Sequence, residues 1–274
     1  MTSPDNNSDS GIDRDEFVNR FYERYPRLSR VFSSLRQNPL SGNTLRMMIK
    51  GEEEIRRDEQ QVAALETPVM WKRNAPIVIS QYANYASDKL PQFWNATLPE
   101  INERYGEITR YEHHDVPTLK ETATEYKLAT VGRAIQHKAG NEGFWVWFDH
   151  LMIDGVSSVT ESYDLAEDIG IDVERDYLER AVKYDVYNNV IWNDVDALMG
   201  KENGQTAVDI QQQLEREDPV FIVFVNGMQV QPSYDSIVGA IEEIRASHAQ
   251  HTENQQQTRQ EQQAGNDNGR TSDP

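Results

Sequence analysis

The chain has 274 residues, with 46 Asp plus Glu against 27 Lys plus Arg, a formal net charge of −19, and no cysteine. The absence of cysteine excludes disulfides, Cys-ligated metal centres and thiol-based catalysis by this chain. The acidic balance argues against nucleic acid as a partner, because a phosphate backbone is bound by clusters of Lys and Arg. No apolar run approaches about 20 residues, so the sequence predicts no membrane span.

The charge also carries information about habitat. Only 8 of the 27 basic residues are Lys. A carboxylate-rich, lysine-poor surface is typical of proteins from salt-accumulating microbes, because salt screens the self-repulsion of the compact state. We therefore expect a halophilic source, with an ordinary acidic bacterial protein as the alternative. The first residues show neither the basic nor the apolar segment of a secretion signal, so a cytoplasmic location is expected.

Polar segments flank the part of the chain that can form a core. Residues 1–12 are rich in Ser, Asn and Asp, and residues 248–274 are rich in Gln, so both are predicted to be disordered. Residues 13–70 predict an N-terminal helical extension. Its apolar side chains recur at helical spacing and form what we call the N-terminal stripe: Phe17, Phe21, Tyr25, Leu28, Phe32 and Leu35. Such a stripe covers either the core of this chain or a protein partner.

Residues 71–120 predict a β-α-β unit. The β-branched segment 76–82 indicates a buried strand. Apolar residues at helical spacing follow over 90–105, with Pro99 expected to kink the helix. A second strand is predicted over 108–113. Two strands joined through one helix are expected to lie parallel.

The rest of the chain divides into a helical block and a second set of strands. Residues 121–205 keep a helical period, with glycines where helices are expected to stop. Residues 206–247 then predict a strand, a hairpin turn at Asn226-Gly227, a second strand and a helix from about Ser233. This order predicts an α/β fold with an inserted helical domain.

Four strings occur in order along residues 75–245. They are QYANY from Gln81 followed by Ser87-Asp88-Lys89-Leu90, GFWVWFDHLM from Gly143, EDIGIDVERDYLERAV from Glu167, and FVNG from Phe224. Together they resemble the DsbA-like family of thioredoxin-fold disulfide oxidoreductases. The resemblance implies a thioredoxin-like fold, β-α-β followed by β-β-α, and places residues 87–90 in the CxxC position of the family.

The chain departs from that family at its reactive positions. Ser87 replaces the first cysteine and Leu90 the second. A hydroxyl is too weakly acidic to be ionised at a helix N-terminus and cannot form a mixed disulfide. Aligning on the turn places Phe221 in the cis-proline position of the family, two residues after Pro219. We therefore predict no catalytic residue, no cofactor and no thiol–disulfide exchange.

Three functional interpretations follow. The first is a redox-inactive protein that binds a polypeptide or acts as a scaffold. Its candidate surfaces are the N-terminal stripe and a groove formed by Tyr85, Ser87, Lys89, Pro219 and Phe221. The second is an enzyme similar to kappa-class glutathione transferases, with Ser87 holding a small thiol; against it, a serine here also serves as a helix cap. The third is an oxidoreductase by family label alone.

Two further groups of residues have both structural and functional interpretations. His113-His114-Asp115 could supply half of a metal site. Adjacent residues on a strand point to opposite faces, so we expect one histidine exposed, the other packed and no metal. The aromatic residues of the helix region are predicted to join the helical block to the core rather than to stack on a ligand. They are Trp94, Phe144, Trp145, Trp147 and Phe148.

Overall fold

The computed structural model describes residues 62, 65–118, 122–201, 210, 212–214 and 219–268. The N-terminal stripe lies outside these residues, so its role stays a prediction. The strands are β1 (Val69–Trp71), β2 (Ile77–Ala83), β3 (Thr109–Asp115), β4 (Phe221–Val225) and β5 (Met228–Val230). The α-helices are α1 (Lys89–Gln92), α2 (Leu98–Tyr105), α3 (Thr124–Asp154), α4 (Val159–Asp168), α5 (Arg175–Lys183), α6 (Asn188–Lys201) and α7 (Tyr234–Asn268). A π-helical turn, Phe93–Thr97, joins α1 to α2.

The strands form one sheet in the order β1-β3-β2-β4-β5. β2 and β3 are parallel, which confirms the predicted β-α-β unit, and the other neighbours are antiparallel. The helices α3 to α6 lie between β3 and β4 in sequence. The predicted fold class, α/β with an inserted helical domain, is therefore confirmed.

The short edge strand β1 was not predicted. Three residues are too few to show a strand period, so only tertiary contacts define it. The Val69 N–H donates to Asn141 Oδ1 at 2.8 Å, and the Asn141 side-chain amide donates back to the Val69 carbonyl. One amide on α3 thus satisfies backbone groups that an edge strand would otherwise leave open.

A π-helical turn, Phe93–Thr97, precedes Pro99, the residue for which the sequence predicts a kink. Proline has no N–H, so it cannot donate to the carbonyl four residues earlier, and the helix adjusts around that gap. Phe93 and Trp94 are adjacent in this turn but pack on different partners. The Phe93 ring centroid lies 5.4 Å from that of Phe221, whereas the Trp94 ring centroid lies 5.7 Å from that of Trp145. The two sides of this helix therefore face different parts of the molecule.

The last helix is longer than expected. α7 continues from Tyr234 to Asn268, through residues for which the sequence predicts disorder from His248 onwards. Gln, Glu, Arg and Ala have good intrinsic helix propensity, so this segment is helical without apolar side chains to pack. Among the described residues, no helix has the combination of length and apolar character needed to cross a bilayer.

Two glycines provide a matched test of the backbone. Gly227 has φ +81° in the hairpin turn, where an L side chain is strained, whereas Gly239 lies within α7 with open space around it. Gly227→Ala should lower the free energy of unfolding by about 1 kcal/mol. Gly239→Ala should raise it by about 0.5–1 kcal/mol. Denaturant titration of both variants measures the effect, and a change of the same sign in both would contradict this account of the turn.

Candidate functional site

The predicted groove residues surround the C-terminal ends of the parallel strands. Ala83, the last residue of β2, pairs with Asp115 on β3 and with Phe221 on β4. The Asn84 N–H then donates to the Val220 carbonyl at 2.8 Å. The structure therefore places the turn after β2 directly beside the residues that begin β4.

Ser87 lies in this turn and is only 6% exposed. Its N–H donates to the Asn84 carbonyl at 3.0 Å, and its own carbonyl accepts the Leu90 N–H at 3.1 Å. Asp88, rather than Ser87, occupies the cap position of α1, and the Asp88 side chain makes no capping hydrogen bond. Leu90 is fully buried. Ser87 and Leu90 are thus packed into the turn and the helix.

The other groove candidates differ in exposure. Tyr85 is half-buried, Lys89 and Pro219 are exposed, and Phe221 is buried with its ring edge-on to Phe93. The peptide bonds between described residues are trans, including the bond before Phe221. Asp218, which precedes Pro219, lies outside the described residues. The surface therefore presents part of the Tyr85 ring, Lys89 and Pro219, with Phe221 packed beneath it, and its role in binding stays a prediction.

Behind this surface lies a buried ionic network that the sequence analysis missed. Arg133, on α3, is fully buried and donates from Nε to Asp115 Oδ2 at 2.6 Å. It also forms an ion pair with Asp194 on α6 and donates to Gln136 Oε1 at 3.1 Å. The available signal was a lone charged residue on the apolar face of a helix, between Val131 and Ile135.

Burial and charge act in opposite directions on Asp115. Burial alone would raise the pKa of the Asp115 carboxyl. The positive charge of Arg133 and a hydrogen bond from His113 outweigh burial and hold that pKa well below its usual range. The carboxylate is therefore ionised even though it is excluded from water.

His113 belongs to the same network and is held neutral. The Tyr111 hydroxyl donates to Gln81 Oε1, which turns the Gln81 amide N–H towards His113 Nδ1 at 2.9 Å. The ring proton then lies on Nε2, 3.1 Å from Asp115 Oδ1 and 3.3 Å from the Tyr85 hydroxyl. Burial lowers the pKa of His113 more than Asp115 raises it.

His114 is buried too, so the prediction that one of the two histidines is exposed is wrong. The sheet is covered on both faces at this point: His113 packs on Phe148 of α3, whereas His114 stacks on Tyr82 and bonds to α6. His114 Nδ1 donates to Asp194 Oδ1 at 2.7 Å. Burial lowers the pKa of His114, but the hydrogen bond to Asp194 and the negative charge of Glu112, whose carboxylate lies 3.7 Å from Nε2, prevail and raise it. No group of three potential metal ligands occurs among the described residues.

The comparisons with known proteins identify the fold. No protein-family model and no curated protein matches the chain. DsbA from Chlamydia trachomatis matches with a TM-score of 0.55 at 16% identity, over 68% of this chain and 93% of its own. The chain has the DsbA-like thioredoxin fold.

Two further solved structures agree. A thioredoxin-like oxidoreductase from Silicibacter pomeroyi DSS-3 matches with a TM-score of 0.51 at 15% identity, over 69% of this chain and 98% of its own. BdbD from Bacillus subtilis matches with a TM-score of 0.50 at 15% identity, over 65% of this chain and 91% of its own. At these identities the comparison establishes the fold, and function has to be argued from the site.

Removing Arg133 should be costly. Arg133→Met leaves Asp115 and Asp194 buried without their cation, so the free energy of unfolding should fall by about 3–5 kcal/mol. Adding Asp115→Asn and Asp194→Asn to the Arg133→Met protein should recover part of that loss. The two substitutions remove the uncompensated carboxylate charges and the repulsion between them. Denaturant unfolding measures each variant, with Arg245→Met on the exposed face of α7 as the control. A loss no larger than that of the control would contradict the importance of the network.

His114 should make stability depend on pH in a defined direction. Its pKa is raised in the folded protein, so its contribution is fully present below the unfolded value of about 6.5 and is lost as pH rises through the folded pKa. The stability advantage of the native protein over His114→Gln should therefore shrink as the pH rises above about 6.5. Denaturant unfolding of both proteins at several pH values measures this difference in stability. The contribution of His113 cancels in the difference, because both proteins contain it. An advantage that grows with pH would show that the pKa of His114 is lowered instead.

Proposed function

We propose that this chain is a redox-inactive DsbA-like protein that binds a polypeptide at the surface around Ser87 and thereby acts as an adaptor or scaffold. One observation carries the proposal: the turn after β2 stays docked on the start of β4 through Asn84 and Val220, although Ser87 and Leu90 stand where relatives hold cysteines. A surface kept in place without its reactive groups retains the ability to bind while losing the ability to exchange disulfides.

The groove candidates have suitable chemistry for such a partner. Tyr85 is half-buried and packs on Trp147 and Phe148, which hold its ring in place. Phe221 packs edge-on against Phe93. Lys89 is exposed and lies two residues after Ser87 in the sequence. Fixed aromatic rings bind a partner at low entropic cost, and aromatic residues are enriched in the centres of protein interfaces.

No observation favours the glutathione-transferase alternative. It requires a serine hydroxyl open to a small thiol and free backbone donors beside it. Ser87 is 6% exposed, and its N–H is donated to the Asn84 carbonyl. Thiol–disulfide exchange would require a thiol that this chain does not contain.

The composition supports one further part of the proposal. A net charge of −19 with few lysines suits a salt-rich cytoplasm, where counterions screen the repulsion between carboxylates. We therefore place the protein in the cytoplasm of a salt-accumulating organism. Under this proposal, its compactness should increase with added salt.

A single introduced cysteine can test the binding surface, because the chain has no other. Lys89→Cys labelled with an environment-sensitive fluorophore should show a saturable signal change with a reduced, carbamidomethylated and permanently unfolded polypeptide. Thr160→Cys, which is exposed on α4, carries the same label as the control and should show no saturable change. Phe221→Ser in the Lys89→Cys protein should weaken binding by about tenfold or more.

The outcomes separate the interpretations. Equal signals at positions 89 and 160 would mean that the polypeptide does not bind at the proposed surface. A saturable response to glutathione alone, without a response to the polypeptide, would favour the small-thiol alternative instead. Circular dichroism of each variant confirms that the fold is intact.

A further inference from the structure

A second surface lies on the other side of the α1–α2 segment, where three of the five tryptophans of the chain surround a groove. We call it the tryptophan groove, and define it by Trp71, Trp94, Trp145, Glu142, Val146 and Asp149. Its volume is about 510 Å³, and an adjoining hollow of about 250 Å³ shares Trp71, Trp94 and Asp149. A groove of this size accommodates a few side chains of a bound segment.

The Trp71 wall of the tryptophan groove is distant from the turn that holds Ser87. Trp71 on β1 pairs with Arg110, near the start of β3, whereas Ala83 before the Ser87 turn pairs with Asp115 at its end. These two positions of β3 are separated by about 16 Å along the strand. β1 is also the edge strand opposite β4 and β5 in the sheet order. The two surfaces can therefore be tested separately.

The aromatic walls of the groove are fixed in position. The Trp94 indole N–H donates to Asp149 Oδ1 at 2.7 Å, and the Trp94 ring is nearly parallel to Trp145, with centroids 5.7 Å apart. Trp71 has φ +66°, which is unusual for a residue other than glycine. Backbone strain of this kind persists where surrounding contacts hold it, and it is frequent at functional sites. Here the Asn141 clamp on Val69 supplies such a contact.

The polar groups of the groove favour a cation. Glu142 and Asp149 contribute carboxylates, and no Lys or Arg is among the residues that line either hollow. Indole faces attract cations, and a guanidinium can stack on an indole while it donates hydrogen bonds to a carboxylate. The Trp94 hydrogen bond occupies Asp149 Oδ1 and leaves the second oxygen for a ligand.

Exposed apolar side chains continue the surface along α3. Val146 is 41% exposed and Ile153 is 59% exposed, and these two lie seven residues apart on one face of the helix. They are two of the three large apolar side chains that are exposed among the described residues. A small cation would use only the groove, whereas an extended segment would cover these side chains too.

From these features we infer that the tryptophan groove is a docking surface for a polypeptide segment that carries an arginine between apolar residues. The guanidinium stacks on the half-buried indoles of Trp71 or Trp145 and pairs with Asp149, while the apolar neighbours cover Val146 and Ile153. The net charge of −19 attracts such a basic segment and increases its rate of association. This surface and its partner are separate from the polypeptide binding proposed at Ser87.

A blocked peptide with Leu-Arg-Leu between Gly-Ser flanks provides the test, with Leu-Gln-Leu in the same flanks as its neutral match. Calorimetric titration of the full chain should show the arginine peptide binding about three- to tenfold more tightly. Asp149→Asn should remove most of that preference while keeping the acceptor for the Trp94 N–H. Trp71→Ala should weaken binding by a similar factor, with thermal unfolding as the check on its fold.

Asp168→Asn is the matched control, because it makes the same change in charge at an exposed position at the end of α4. It should leave the affinity for the arginine peptide unchanged. If Asp149→Asn and Asp168→Asn weakened binding of the arginine peptide equally, the preference would come from net charge alone, and the inference would be overturned. Equal affinity for the glutamine peptide would overturn it too, and so would free arginine binding as tightly as the peptide.

Discussion

The rest of the structure depends on the buried charge of Arg133. Its guanidinium joins Asp115 at the end of β3 to Asp194 on α6, so one side chain on α3 connects the sheet to the inserted helical block. Burying three charges is costly, and the cost is offset only because each one is paired and hydrogen-bonded. An alternative packing would leave one of these charges unpaired, so the network favours one arrangement of the domain.

The network also sets the electrostatics behind the Ser87 surface. Arg133 keeps Asp115 ionised, and Asp115 accepts a hydrogen bond from Nε2 of a neutral His113. Asp194 accepts a hydrogen bond from His114 and so helps to raise the pKa of His114. These groups are enclosed by Tyr85, Phe148 and Tyr82, so water does not replace the pairs. The ion pairs of Arg133 with Asp115 and Asp194 lie directly behind the turn after β2, so they support the surface for which we propose binding.

The two candidate surfaces arise from the same helical segment. The π-helical turn sets Phe93 against Phe221 and directs Trp94 towards Trp145 and Asp149. One side of the segment thus packs beneath the surface around Ser87, and the other forms a wall of the tryptophan groove. The two surfaces for which we propose partners therefore both depend on how this segment is held.

The sequence by itself determined the α/β order, the parallel β2–β3 unit, the Asn226-Gly227 turn and the absence of thiol chemistry. These features depend on local propensity, on periodicity and on composition, which are readable along the chain. Only the tertiary structure decided that His113 and His114 are both buried, that Arg133 joins Asp115 to Asp194, and that Trp71 meets Trp94 and Trp145 across a groove. Such pairings depend on residues far apart in sequence, and the free energy of a buried charge is set by partners that only folding brings together.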